Sequence, residues 1–123
     1  MRVKDAVGRF GEQVAVEHLT ERGLLVLDRN WRCRDGELDV VALDGRALVF
    51  VEVKTRSSLA FGGPAEAVDQ RKAARIRRLA LRWIEARRTS GDPTFWESVR
   101  FDVLCVVRQR SGGPHIVHLV GAF

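Results

Sequence analysis

Glu37-Leu38-Asp39-Val40-Val41-Ala42-Leu43, then Asp44-Gly45, then Arg46-Ala47-Leu48-Val49-Phe50-Val51-Glu52-Val53-Lys54 is the stretch whose reading decides the fold. Two apolar runs flank an Asp-Gly pair, and the central residues of a primed hairpin turn must tolerate positive φ, as Asp and Gly do. The spacing predicts a hairpin with Asp44-Gly45 as its two-residue loop and Leu43 opposite Arg46. In that register Asp39 faces Phe50 and Glu37 faces Glu52. Side chains alternate along a strand, so Glu37, Asp39, Phe50, Glu52 and Lys54 all project from one face. Asp39 and Glu52 become diagonal neighbours, with Cα atoms roughly 7–8 Å apart.

Val49, Val51 and Val53 fill the opposite face, so the second strand reads as central and buried on both sides. Carboxylates brought together on such a strand repel, and each loses hydration. A divalent cation between Asp39 and Glu52 removes the conflict, and hard oxygen ligands suit Mg2+ or Mn2+. The competing reading is a same-face salt bridge between Glu52 and Lys54 at a strand end.

Outward from the hairpin, Val3 to Arg22 reads as a helix with Val7, Phe10, Gly11, Val14, Ala15 and Leu19 on one face, stopped by Gly23. Leu24 to Asp28 reads as a short strand leading into a polar stretch, Arg29 to Asp35, and Ser57 to Gly63 reads as a loop. Asp69 opens a helix to about Arg88 whose buried stripe is Ile76, Leu79, Ala80, Trp83 and Ile84. Val99 to Val107 and His115 to Val120 complete the set as strands. The order is helix, three strands, helix, two strands, which predicts a single α/β domain with a central mixed five-stranded sheet flanked by helices.

A chain of 123 residues suits one domain, and 46% hydrophobic residues exclude a disordered polypeptide. No apolar run approaches the ~20 residues needed to span a bilayer, so a membrane is not an expected partner. The opening Met1-Arg2-Val3-Lys4-Asp5 lacks the apolar segment of a secretory signal, which predicts a cytoplasmic protein. Cys33 and Cys105 lack metal-type spacing and read as free thiols. The net charge of +5 favours polyanionic partners, nucleic acid foremost. His115 and His118, three apart in a strand, face opposite sides, and His18 stands alone.

Asp39, twelve intervening residues and Glu52-Val53-Lys54 together resemble the core of the PD-(D/E)xK nuclease superfamily. The resemblance is tightest to the YraN-type family of bacterial proteins. It extends through Gly11-Glu12, Arg29-Asn30-Trp31-Arg32, Gly36-Glu37-Leu38-Asp39, Phe50 to Arg56, Phe61-Gly62-Gly63-Pro64 with Ala67-Val68, Lys72, Arg100-Phe101-Asp102-Val103 and Ala122-Phe123. Leu38 replaces the proline of the literal motif. The resemblance implies a restriction-endonuclease-like domain over residues 1–123, similar to archaeal Holliday-junction resolvases. It implies a metal-dependent nuclease acting on DNA, branched or structured DNA included, and a homodimer. By resemblance Asp39 and Glu52 bind the metal with the Val53 carbonyl, and Glu12 joins them from the first helix. Lys54 orients the attacking water and stabilises charge on the phosphate. The alternative is an inactive nuclease fold that binds nucleic acid or acts as a scaffold.

The second helix carries Arg71, Lys72, Arg75, Arg77, Arg78, Arg82, Arg87 and Arg88 against Asp69 and Glu85. Such a run is either a solvated face or a phosphate-tracking surface, with Arg71, Arg75 and Arg78 the candidates, joined by Arg56 after the signature strand. Lys72, four residues before Ile76, either reaches the carboxylates or snorkels past the core edge. Trp31, among arginines, either stacks on a base or belongs to the core.

Overall fold

The computed structural model describes residues 3–56 and 68–123, with side chains from residue 8 onward. The expected loop at Ser57–Gly63 and the motif residues Phe61 to Pro64 and Ala67 lie outside these residues, as does the side chain of Val7. In chain order the elements are α1 (Val3–Glu21), β1 (Leu25–Cys33), β2 (Gly36–Asp44), β3 (Ala47–Arg56), α2 (Gln70–Thr89), β4 (Ser98–Val107) and β5 (His115–Leu119). Among the described residues the strands form one mixed sheet of five, ordered β1-β2-β3-β4-β5, in which only β3 and β4 run parallel. Among the described residues, no helix is long and apolar enough to cross a membrane.

The hairpin forms, but its loop is Gly45-Arg46 and its closing pair is Asp44 with Ala47. Gly45 takes φ 59° at the first central position, where glycine bears no Cβ penalty. The shift frees Arg46 to bind the start of β4. Its guanidinium lies 2.9 Å from Glu97, and its carbonyl accepts the Glu97 N–H at 2.8 Å. Leu43 therefore opposes Leu48, and Val41 opposes Phe50. This corrects the expected pairing of Asp39 with Phe50 and of Glu37 with Glu52. Glu37 instead opposes Arg32 of β1. β1 is also longer than expected. Arg29, Asn30 and Arg32 continue the strand because, at a sheet edge, polar side chains remain in water.

Two cores lie on the two faces of the sheet. Ala15 and Leu19 of α1 pack on Val40, Ala42, Val49, Val51, Leu104 and Val106. Ile76, Leu79, Ala80 and Trp83 of α2 pack on Leu38, Val41, Leu48 and Phe50. The valine stripe of β3 thus meets one helix and its alternate residues the other, as expected for a strand covered on both faces. Trp31 packs at the edge of the α2 core, which favours the core reading for that residue.

α1 sits unusually close to β3 at Gly11. A Cβ there would lie 1.9 Å from the Thr55 hydroxyl oxygen and 3.2 Å from its Cβ. Gly11→Ala should therefore lower stability by about 1–3 kcal/mol, the usual range for overpacking. Adding Thr55→Ala should restore most of it in urea melts. An undiminished melt for Gly11→Ala alone would show that α1 is not held at this distance.

Within β4, Asp102 is fully buried and accepts from Arg100 Nε and Nη2 at 2.9 and 3.0 Å and from the Gly121 N–H at 2.9 Å. His118 Nε2 lies 2.9 Å from its other side. The His118 ring also meets His18 edge-on at 5.6 Å, so His18 is not isolated as the sequence reading has it.

Candidate functional site

Past the pair Val40–Val51 the sheet divides. β1 and β2 stay paired out to Cys33–Gly36, and β3 and β4 stay paired out to Arg56–Val107, but β2 and β3 are no longer joined. Leu38 packs towards α2 while Val40 packs towards α1, so the strict alternation of β2 is broken between them. Asp39 occupies this point. Its Oδ2 accepts the Val53 N–H at 2.8 Å, a donor that the ended ladder leaves open.

The acidic residues form two groups, and Asp39 belongs to both. Glu37 and Asp39 meet Glu12 of α1, and carboxylate oxygens of the three lie within 4.8 Å of one another. Glu52 meets Lys72 of α2 at 2.7 Å and Lys54 at 3.6 Å. Parity along β3 accounts for the second group, since Glu52 and Lys54 follow Phe50 on the α2 side. The break at Asp39 accounts for the first. Asp39 also meets the Glu52 carboxyl directly, so it links the two groups. Burial, then repulsion from Glu52, pushes its carboxyl up to about 7 despite the Val53 hydrogen bond, with Glu12 adding to the rise.

The two lysines differ. Burial, then the neighbouring Lys72 ammonium, lowers the Lys54 pKa below the usual lysine range. Lys72 is also penalised by burial, but its hydrogen bonds to Glu52 and Lys54 and the attraction of Glu52 and Asp39 together outweigh this and raise its pKa. Lys72 reaches Glu52 because Asp69 caps α2, its carboxylate accepting the Lys72 N–H at 2.8 Å and fixing the first turn. Of the two sequence readings of Lys72, the one reaching the carboxylates holds.

Glu12, Glu37 and Asp39 supply the hard oxygen donors that Mg2+ or Mn2+ prefer, so the residues present fit such an ion. Val53 contributes its N–H to Asp39, and Glu52 is engaged by lysine. Arg71, Arg75 and Arg78 are exposed, and they line a surface cleft with Asp69 and Lys72, the residue that pairs with Glu52. Arg56 is exposed at the end of β3.

Two contacts escaped the sequence reading. Asn30 Nδ2 donates to Glu12 Oε2 at 2.7 Å, and Arg32 lies 3.3 Å from Glu37. Arg32 was legible only through cross-strand pairing of a longer β1. Asn30 carried one signal, since asparagine is enriched among the non-glycine residues that adopt positive φ.

The model of the uncharacterised protein family UPF0102 matches residues 11–106. A UPF0102 protein of Frankia alni is 58% identical over 123 residues, covering 100% of this chain and 98% of the relative. One from Frankia casuarinae is 57% identical over 123 residues, with 100% of both chains covered. A third, from Beutenbergia cavernae, is 55% identical over 121 residues, with 98% of each covered.

Proposed function

The chain belongs to the uncharacterised protein family UPF0102, and from that premise and the site's geometry we propose that it is a metal-dependent nuclease hydrolysing phosphodiester bonds in DNA, branched or structured DNA included. The observation that carries this reading is the approach of Glu12, Glu37 and Asp39 beside the Glu52–Lys54–Lys72 group at the point where the sheet opens. A structural salt bridge alone would not need three carboxylates next to it, one of them held near neutrality.

A bound Mg2+ or Mn2+ supplies charge neutralisation and polarisation of a phosphoryl oxygen. The chain's own residues do the rest. Glu12, Glu37 and Asp39 provide the anionic cradle, with Asp39 held in place by the Val53 N–H. Lys54, its proton loosened by burial and by Lys72, presents Nζ to the negative charge that develops on the scissile phosphate. Lys72 keeps its charge and anchors Glu52. Arg71, Arg75 and Arg78 hold the flanking phosphates, and Arg56 joins them at the end of β3. A cytoplasmic homodimer would present two such sites, which suits a four-way junction.

The test is cleavage of labelled linear, nicked and four-way DNA with Mg2+ or Mn2+ by the wild type, Glu52→Ala and Asp39→Ala. Wild-type cutting that falls at least 100-fold in both variants is expected, the scale of losing one electrostatic element of a site. No cutting at high protein concentration, or equal cutting by the variants, would sink the proposal. One observation favours a second reading, a nucleic-acid-binding module without turnover: Glu52 already has two lysine partners. That reading requires steeply salt-dependent DNA binding that is indifferent to metal and to Glu52→Ala.

A further inference from the structure

Among the described residues, Asn30 is the only non-glycine residue with positive φ, at 51°, and it takes that conformation inside a strand, β1. L-residues avoid this region, and departures from it tend to mark sites where the surrounding structure requires a particular side-chain direction. Here the direction is towards α1. Asn30 Nδ2 donates to Glu12 Oε2 at 2.7 Å, and the next residue, Trp31, packs on the α2 side of the sheet. Asn30 is exposed, so a contact formed there adds little to folding.

Glu12 is held from a second side as well. Gly11 brings α1 into contact with Thr55 of β3, which sets the depth of the helix at the neighbouring residue. The helix thus fixes where Glu12 stands, but a glutamate still has its own side-chain torsions free. A hydrogen bond from Asn30 to Glu12 Oε2 removes that freedom for a carboxylate that has an oxygen within 4.8 Å of those of Glu37 and Asp39. An amide is suited to this task. It donates a hydrogen bond without adding charge, whereas lysine or arginine at this position would neutralise the carboxylate.

We infer that Asn30 is a positioning residue that orients Glu12 for cation binding through a left-handed kink in β1, an inference that rests on the proposed metal site. Partners outside the ligands themselves commonly set metal affinity by 10–100-fold. The role separates into a backbone part and a side-chain part. Glycine at position 30 keeps the kink and removes the donor. Aspartate tolerates the kink but replaces the donor with a second carboxylate facing Glu12.

Calorimetric titration of the metal-free protein with Mn2+ tests it, with the thermal midpoint of each metal-free variant measured alongside. Asn30→Gly should bind Mn2+ about 10-fold more weakly while melting within a few degrees of wild type, an effect of the size expected for a lost outer partner. Asn30→Gln, whose longer amide approaches from a different point, should not restore wild-type affinity. Asn30→Gly binding Mn2+ as tightly as wild type would overturn the inference and leave the metal site standing. So would a loss of affinity matched by a collapse of the thermal midpoint, which would make the role structural. A wild-type protein that binds no Mn2+ would overturn both.

Discussion

Asp102→Ala is expected to destabilise the protein by about 3–5 kcal/mol, the scale of removing one partner from a buried ion pair. The side chain is fully buried, and the substitution strands the Arg100 guanidinium, the His118 ring and the Gly121 N–H together. Arg100 retains Asp44 at 3.0 Å, but that residue lies at the exposed hairpin tip and is a weak replacement. Asp102→Asn keeps the volume but offers a single acceptor oxygen and turns an amide against the donors, so it should fall between Ala and wild type. Urea midpoints at constant m-value are the measurement. An unchanged midpoint for Asp102→Ala would show that the network adds nothing net to stability.

The pH dependence of this loss has a definite sign. Burial works against the Asp102 carboxylate, but hydrogen bonds from His118, Arg100 and Gly121 outweigh it and hold the pKa below the usual range. The folded state therefore releases this proton more readily than the unfolded one. The stabilisation is fully present above the unfolded value and fades as pH falls through the folded value. The gap in urea midpoint between wild type and Asp102→Ala should be widest near neutrality and close in acid.

Asp102 also shows where sequence reading stops. Its partners lie 2, 16 and 19 residues away, on β4, β5 and the segment beyond, and no local pattern announces that they converge. Helix and strand order was legible because period and punctuation are local. The stripe from Ile76 to Trp83 is buried on one face, and Asp69 begins α2 as a cap should. Hairpin parity also survived the displaced loop, because pairing Asp44 with Ala47 rather than Leu43 with Arg46 moves the register by an even step.

The site was half legible for a related reason. The sequence marks Asp39, Glu52 and Lys54, but a regular ladder puts all three on one face. The structure ends the β2–β3 ladder at Val40–Val51, and Asp39 gains Glu12 and Glu37 as neighbours while it keeps its contact with Glu52. Whether a ladder continues depends on what packs behind each strand. Here α1 approaches at Gly11, and Asp39 takes over the Val53 N–H. None of this is encoded within the hairpin itself. Glu37, which the expected register set against Glu52, enters the acidic cluster through a different neighbour, Glu12.

Asp39→Asn should change two measurable properties in opposite directions. In the metal-free protein the Asp39 carboxyl is raised from 3.8 to about 7 by burial and by Glu52. The folded state holds this proton more tightly than the unfolded chain, so the group's effect on stability is harmless below the unfolded value. It turns unfavourable as pH climbs towards 7 and is complete above it. At 1.36 kcal/mol per unit the penalty is about 2–4 kcal/mol, allowing for its sharing with Glu52 and Glu12. Asparagine cannot ionise and can still accept the Val53 N–H, so at pH 8 Asp39→Asn should be the more stable protein by roughly that amount, and at pH 4 the two should melt alike. The same substitution should weaken Mn2+ binding at least 100-fold, because the cradle loses the carboxylate at its centre. Wild-type Mn2+ affinity should itself climb about tenfold per pH unit up to about 7 and then level, since an ion binding there must displace that proton. Stability traded against function in this way is what a strained functional carboxylate produces. If Asp39→Asn is the less stable protein at pH 8, the raised pKa is not a property of the folded site. If it binds Mn2+ as well as wild type, Asp39 is not at the centre of the cradle.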